Sequence, residues 1–145
     1  MILESVVRVR VLKIKQKVMK KIILASGSPR RKQLLSYITK DFECILADDE
    51  KNISKVLFSY ALIESIAKDK VKSVYDKVKD DNAIIIGADT VVVLGETILT
   101  KPKDTDDAIK TLQNLSGKTH FVVTSHVVKK GQKERNYLYL KGVKC

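Results

Sequence analysis

Only two cysteines occur in the 145 residues, Cys44 inside an apolar run and Cys145 at the last position. Their separation suits neither a zinc site nor a redox pair, so the chain is expected to be reduced and cytoplasmic. A long apolar run is lacking too: from Met1 to Lys20 the apolar residues are interrupted by Arg8, Arg10, Lys13, Lys15 and Lys17. That pattern predicts neither a signal peptide nor a membrane span. There is no internal repeat, low-complexity tract or linker, and no Walker A or dinucleotide-binding spacing. What remains is a length that fits one domain with an apolar core.

The net charge of +11 points to nucleic acid until it is divided along the chain. Residues 1–21 hold seven Lys/Arg and one Glu, residues 126–145 hold six and one, and residues 22–125 hold fifteen of each sign. The body is neutral and both ends are basic. A nucleic-acid reader carries its cations on a folded face, interleaved with aromatics, so a basic-tailed nucleic-acid module ranks last among the readings.

Ile22, Ile23 and Leu24 predict a buried strand, followed by Ala25-Ser-Gly-Ser28 as a turn. Ser28 suits an N-cap and Pro29 the first helical position, where a missing N–H costs nothing. The helix continues through Leu34, Leu35 and Ile38 to about Lys40. Its first amides have no internal partner and carry the positive end of the helix dipole, so with Arg30 and Arg31 they outline a phosphate site. A capped surface helix with solvated arginines is the plain alternative.

Phe42 to Ala47 predicts a second strand ending in Asp48-Asp-Glu50, read either as an acidic turn or as a source of one metal-binding carboxylate. From Ser54 to Val78 the apolar residues Val56, Tyr60, Ile63, Ala67, Val71, Val74 and Val78 recur at three and four, which predicts a long amphipathic helix. Lys68, Lys70 and Lys72 lie on its polar face. Ala83-Ile-Ile-Ile86 predicts a central strand, Gly87-Ala-Asp-Thr90 interrupts it, and Val91-Val-Val-Leu94 resumes it. A turn at Gly95-Glu96 brings back Thr97-Ile-Leu99 as a hairpin partner. Asp89 therefore sits between two very apolar runs. It is either a structural aspartate bonding backbone amides or a catalytic base or metal ligand.

Asp104 or Thr105 caps a further helix with Ala108, Ile109, Leu112 and Leu115 inside, ended by Ser116-Gly117. Phe121–Val123 and Tyr137–Leu140 predict two last strands around a turn at residues 129–132. The alternation of Val7-Arg-Val-Arg-Val11 predicts an exposed strand within an appendage, residues 1–18.

Leu24-Ala-Ser-Gly-Ser-Pro-Arg-Arg31 with Leu34-Leu35, Gly87-Ala-Asp-Thr-Val-Val92, Lys101-Pro102, Asp107-Ala108, and Leu115-Ser-Gly117 with His120 occur in one order. Together they resemble the Maf family of nucleoside triphosphate pyrophosphatases, over about Met19 to Thr124. The resemblance implies an α/β single domain with a mixed β-sheet and flanking helices, of the Maf or inosine triphosphatase type, spanning residues 19–145. It also implies hydrolysis of the α–β phosphoanhydride of dTTP, UTP or modified pyrimidine nucleotides, with Mg²⁺ or Mn²⁺.

Carried over residue by residue, Asp89 resembles the proton acceptor for the attacking water and a metal ligand. Arg30 and Thr90 are similar to positions that govern base choice. Ser26, Arg31 and Lys101 would hold the triphosphate, Lys70 resembles a lysine carried on the same helix, and Glu50 resembles an acidic metal-site residue after the second strand. Family members continue through a Gly-Ala-Tyr and glutamine segment, a glycine-rich strand and a closing helix, for which no counterpart is expected here. Such a chain would leave a sheet edge and apolar surface uncovered. The alternative to an enzyme is accordingly a non-catalytic remnant that binds nucleotides or a partner protein. The expected partners are a nucleoside triphosphate and, as an option, a second copy in a homodimer, with no specific nucleic acid and no membrane.

Overall fold

The computed structural model describes residues 5–10, 21–48 and 57–145. Its centre is a mixed sheet built from β1 (Ile22–Leu24), β2 (Glu43–Cys44), β3 (Ile84–Leu94), β4 (Thr97–Leu99), β5 (Thr119–Lys130) and β6 (Lys133–Lys144). The strands run in the order β2-β1-β3-β5-β6, with β4 paired to β3. β1 lies parallel to both β2 and β3, whereas β3–β4, β3–β5 and β5–β6 are antiparallel. Besides the helical residues 5–10, the described residues form α1 (Pro29–Ser36), α2 (Tyr60–Val78) and α3 (Thr105–Leu115). This is the expected α/β domain with a mixed sheet.

Period-two alternation distributes the core over both faces of the sheet. Ile22, Leu24, Ile84, Ile86 and Val128 face Leu35 of α1, with Ile38 and Phe42 packed behind. Ile23, Ala25, Ile85 and Val127 face Ala67, Val71 and Val74 of α2. Farther along β3, Val91, Val93, Ile98 and Val123 close over Ile63. Each large aliphatic side chain buried this way contributes roughly 1.5–3 kcal/mol. The strands around Ile22 and Ile84 are therefore central.

The starts of α1 and α3 match the expected caps, whereas α2 begins later than expected. Ser28 Oγ accepts from the Arg31 amide at the head of α1, Ser59 Oγ accepts from that of Leu62 at the head of α2, and Asp104 caps α3. The helix expected from Ser54 is corrected: residues 54–56 lie outside the described residues, Leu57 bridges Thr97 instead, and α2 begins only at Tyr60 after its cap Ser59. Several expectations are corrected. Residues 5–10 are helical, not a strand, and Val7 inserts beside Leu24, Leu35 and Ile86 while Arg8 and Arg10 stay in water. A helix buries one residue of an alternating Val/Arg run as readily as a strand does.

The second strand shrinks to two exposed edge residues, so Cys44 is exposed. The expected interruption of β3 at Gly87–Thr90 does not occur: its ladder with β5 runs unbroken from Ile84↔Lys130 to Val93↔Phe121. Cross-strand bonding overrides the low strand preference of glycine and aspartate there. Gly87 is needed for a different reason, since a Cβ would lie 2.5 Å from Val71 Cγ2 of α2. β5 and β6 are also far longer than Phe121–Val123 and Tyr137–Leu140, because a two-residue loop with Gly131 at φ 59° zips them together. Finally, α3 buries no residue, and Ile109 and Leu112 are 47% and 67% exposed.

Candidate active site

Because β1 and β3 are parallel neighbours, the turn after β1 and the middle of β3 emerge at the same end of the sheet. Pairing with β1 ends at Ile86 and pairing with β4 begins only at Val92. Over residues 87–91, β3 therefore has one edge without a neighbouring strand, and side chains take its place. Arg31 Nη1 donates to the Ala88 carbonyl at 3.0 Å, and Nη2 donates to Thr90 Oγ1 at 3.3 Å. Lys70 Nζ, projecting from α2, donates to the same carbonyl at 3.5 Å.

Lys70 also forms the central ion pair, with Nζ 3.0 Å from Asp89 Oδ1 and the two side chains only 9% and 11% exposed. Asp89 Oδ2 is buried and has no hydrogen-bond partner among the described residues. A buried carboxylate half satisfied by the protein is a rare arrangement that calls for an explanation. Among the described residues no backbone amide donates to the Asp89 carboxylate, the structural alternative for it.

These groups border a cleft of about 550 Å³ lined by the Ala25–Pro29 turn, Arg31, Leu46–Asp48, Lys70, Asp89, Thr90 and Lys101. Its size suits a small-molecule ligand. Within the turn, Ser26 Oγ accepts from the Ser28 amide at 3.1 Å, leaving its own proton to donate. Gly27 is exposed at the rim. Ser26, Arg31, Lys70, Asp89, Thr90 and Lys101 are thus brought together. Arg30 is exposed on the first turn of α1 and is not among the residues lining the cleft. Glu50 lies outside the described residues. Asp48, from the same acidic run, does line the cleft, but its carboxylate pairs with Lys77 Nζ at 2.8 Å, which holds its pKa below the usual range.

Two contributions from β5 were missed in the sequence. Thr124 Oγ1 lies 2.9 Å from Thr90 Oγ1. His126, opposite Ala88, is 1% exposed and stacks on Tyr137 with ring centroids 5.9 Å apart. Burial, with the nearby Arg31 charge adding to it, pushes the His126 pKa down to about 4. The signal for both was the period-two spacing of Thr124, His126 and Val128 on one strand.

Among the described residues, no group of three His, Cys, Asp or Glu side chains is arranged to hold a metal ion. The donor chemistry nevertheless fits one mode of Mg²⁺ binding, in which one or two carboxylates act together with substrate phosphate oxygens. Asp89 Oδ2, without a hydrogen-bond partner among the described residues, could serve as one such oxygen. No described helix is long and apolar enough to cross a membrane.

A turn carrying serines and arginines thus faces a buried carboxylate at one end of the mixed sheet of an α/β protein. A model of the Maf-like protein family matches residues 21–144, past Thr124 where the motif resemblance stops, and the chain belongs to that family. It is 48% identical over 107 residues to a dTTP/UTP pyrophosphatase of Ruminiclostridium cellulolyticum, covering 73% of this chain and 54% of that protein. It is 43% identical over 111 residues to a dTTP/UTP pyrophosphatase of Acetivibrio thermocellus, covering 73% and 55%. The chain thus spans about half the length of the curated relatives it matches. A solved HAM1 protein from Coxiella burnetii superposes with a TM-score of 0.63 at 10% identity, covering 86% of this chain and 72% of that one, which speaks to the fold alone.

Proposed function

We propose that this chain is a nucleoside triphosphate pyrophosphatase acting on dTTP or UTP, in which Asp89 activates water for attack at the α-phosphorus. The reading rests on one observation above all: a buried carboxylate whose Oδ1 is fixed by Lys70 and whose Oδ2 has no described protein partner. As the water oxygen bonds to the α-phosphorus, Asp89 takes its proton. The α–β bridging bond breaks, its electron pair leaves with pyrophosphate, and the nucleoside monophosphate remains.

Negative charge grows on the leaving group during that step, so cations around it stabilise the transition state more than the ground state. Lys101, the Ser26 hydroxyl and the positive end of the α1 dipole, with the Arg30 amide, supply that field. Arg31 acts from beside them, its guanidinium holding α1 to Ala88 and Thr90. Thr90, bonded to Thr124, and Arg30, outside the cleft lining, carry the base-choice roles that the family resemblance implies. A divalent ion, Mg²⁺ or Mn²⁺, would be held by Asp89 and the phosphates, with Glu50 as a further ligand. Such an ion supplies charge neutralisation and a more acidic water.

The test is pyrophosphate release from a panel of nucleoside triphosphates with Mg²⁺ or Mn²⁺, comparing the purified chain, Asp89→Ala and a version starting at Met19. Release that favours dTTP or UTP and falls about 10²–10⁴-fold in Asp89→Ala supports the reading. Folded protein that releases none overturns it in favour of a nucleotide-binding remnant.

A further inference from the structure

Ser125 is fully buried in the middle of β5, and its hydroxyl has no hydrogen-bond partner among the described residues. Such a group is costly and rare in a native interior. Its nearest neighbours on this face of the sheet are apolar on three sides. Val123 and Val127, two residues away along the strand, pack on Ile63 and on Ala67, Val71 and Val74 of α2. Leu138 stands opposite on β6. On the fourth side, directly opposite on β3, stands Asp89, whose Oδ2 is likewise buried and unpartnered.

Two buried polar atoms without partners thus occupy facing positions of one ladder, and their chemistry is complementary. A carboxylate oxygen only accepts, whereas a hydroxyl has one proton to give. Side chains directly opposed on antiparallel strands have Cβ atoms about 4.5–5.5 Å apart, a gap that a hydroxyl and a carboxylate span with one water between them. Asn136 Oδ1 is a further buried, unpartnered atom on the same face. It stands on the diagonal, however, about 7–8 Å from Ser125, and it is a neutral acceptor, weaker than a carboxylate.

We infer that Ser125 is a positioning residue for Asp89: its hydroxyl donates to one buried water, which donates in turn to Oδ2. The inference rests on the proposed role of Asp89 as the base. Lys70 fixes Oδ1 alone, and the torsion that turns an aspartate carboxylate is soft, so a single tether leaves the group free to rotate. A second tether at Oδ2 stops that rotation. The other acceptor site of the same oxygen remains for the attacking water. Held at both oxygens, the base keeps the alignment that proton transfer requires.

The test begins with stability in urea, which needs no activity. A hydroxyl without a partner and one that anchors a carboxylate respond oppositely to Ser125→Ala: removing the first raises the folding constant, and removing the second lowers it by leaving Oδ2 unpaired. We expect the folding constant to fall about tenfold in Ser125→Ala, and the same substitution to leave it unchanged or raised in an Asp89→Leu background. Combined with Asn136→Leu, the two effects should simply multiply. A folding constant that rises in Ser125→Ala alone, an undiminished fall in the Asp89→Leu background, or coupling to Asn136 in place of Asp89 overturns the inference. In pyrophosphate release, kcat should fall about tenfold in Ser125→Ala with KM within about twofold, because Ser125 acts through Asp89 and does not line the cleft. An unchanged kcat overturns the positioning role. If the unaltered chain releases no pyrophosphate, the proposed function falls, and the stability cycle still decides whether Ser125 holds Asp89.

Discussion

Replacing Lys70 with methionine removes the cation from a pair whose Nζ–Oδ1 distance is 3.0 Å and whose side chains are about nine-tenths buried. The stem of Met occupies most of the volume of Lys, so packing changes little and the loss is electrostatic. At an effective dielectric of about 20, charges this close attract by roughly 5 kcal/mol, most of it offset by the cost of taking both from water. Removing one partner forfeits the attraction and keeps the other's cost, typically 3–5 kcal/mol. Since both side chains retain some contact with the cleft, we expect about 3 kcal/mol. For a domain of this size that corresponds to a Tm lower by roughly 10 °C.

The discriminating assay is a double-mutant cycle in urea with Lys70→Met, Asp89→Leu and the pair. The double variant should recover most of the loss, giving a coupling energy of about 2–3 kcal/mol. Additivity within about 0.5 kcal/mol would show that the two charges do not stabilise each other, and the account of how Asp89 is held would fall.

His126 titrates in the opposite sense to a stabilising surface histidine. Its folded pKa of about 4 lies below the ordinary 6.5, so the unfolded chain binds the proton first. Stability is complete above pH 6.5 and declines as pH falls toward 4, by up to roughly 3 kcal/mol; His126→Phe should flatten that part of the urea-midpoint profile. Gly87→Ala drives a Cβ against Val71 and should cost about 1–3 kcal/mol, whereas Gly27→Ala meets only the tip of exposed Leu46 and should leave the urea midpoint nearly unchanged. Ser28→Ala removes the α1 cap and should cost about 1 kcal/mol in the same measurement.

The features legible in the sequence were those that depend on a few adjacent residues. Ser28-Pro29 and Asp104-Thr105 mark helix starts because capping is local chemistry, and Gly95 and Gly131 mark the two-residue turns whose φ values of 64° and 59° suit glycine. The juxtaposition of the Ser26–Arg31 turn with Asp89 followed from placing both strands centrally. What escaped was set by partners distant in sequence. Nothing around Arg31 reveals that its fork is occupied by Ala88 and Thr90, and nothing around Gly87 reveals that a β5 ladder holds it extended. His126 looked like the point where a pattern ended, yet its opposition to Ala88 and Tyr137 buries it.

The parallel contact between β1 and β3 joins residues some sixty positions apart, from Ile22↔Ile84 to Leu24↔Ile86, whereas β3–β4 and β5–β6 close through two-residue turns. Chain entropy makes the local hairpins early and the parallel seam late in folding. The Ser26–Arg31 turn travels with β1, and Asp89 with β3, so the cleft straddles a seam between strands far apart in sequence. On the proposed function, a nucleotide bound across it would act as a removable rivet, adding about 2.7 kcal/mol when present at a hundred times its Kd. Protease cutting after β1 would then slow as nucleotide rises, tying the lifetime of the chain to the supply of the proposed substrate.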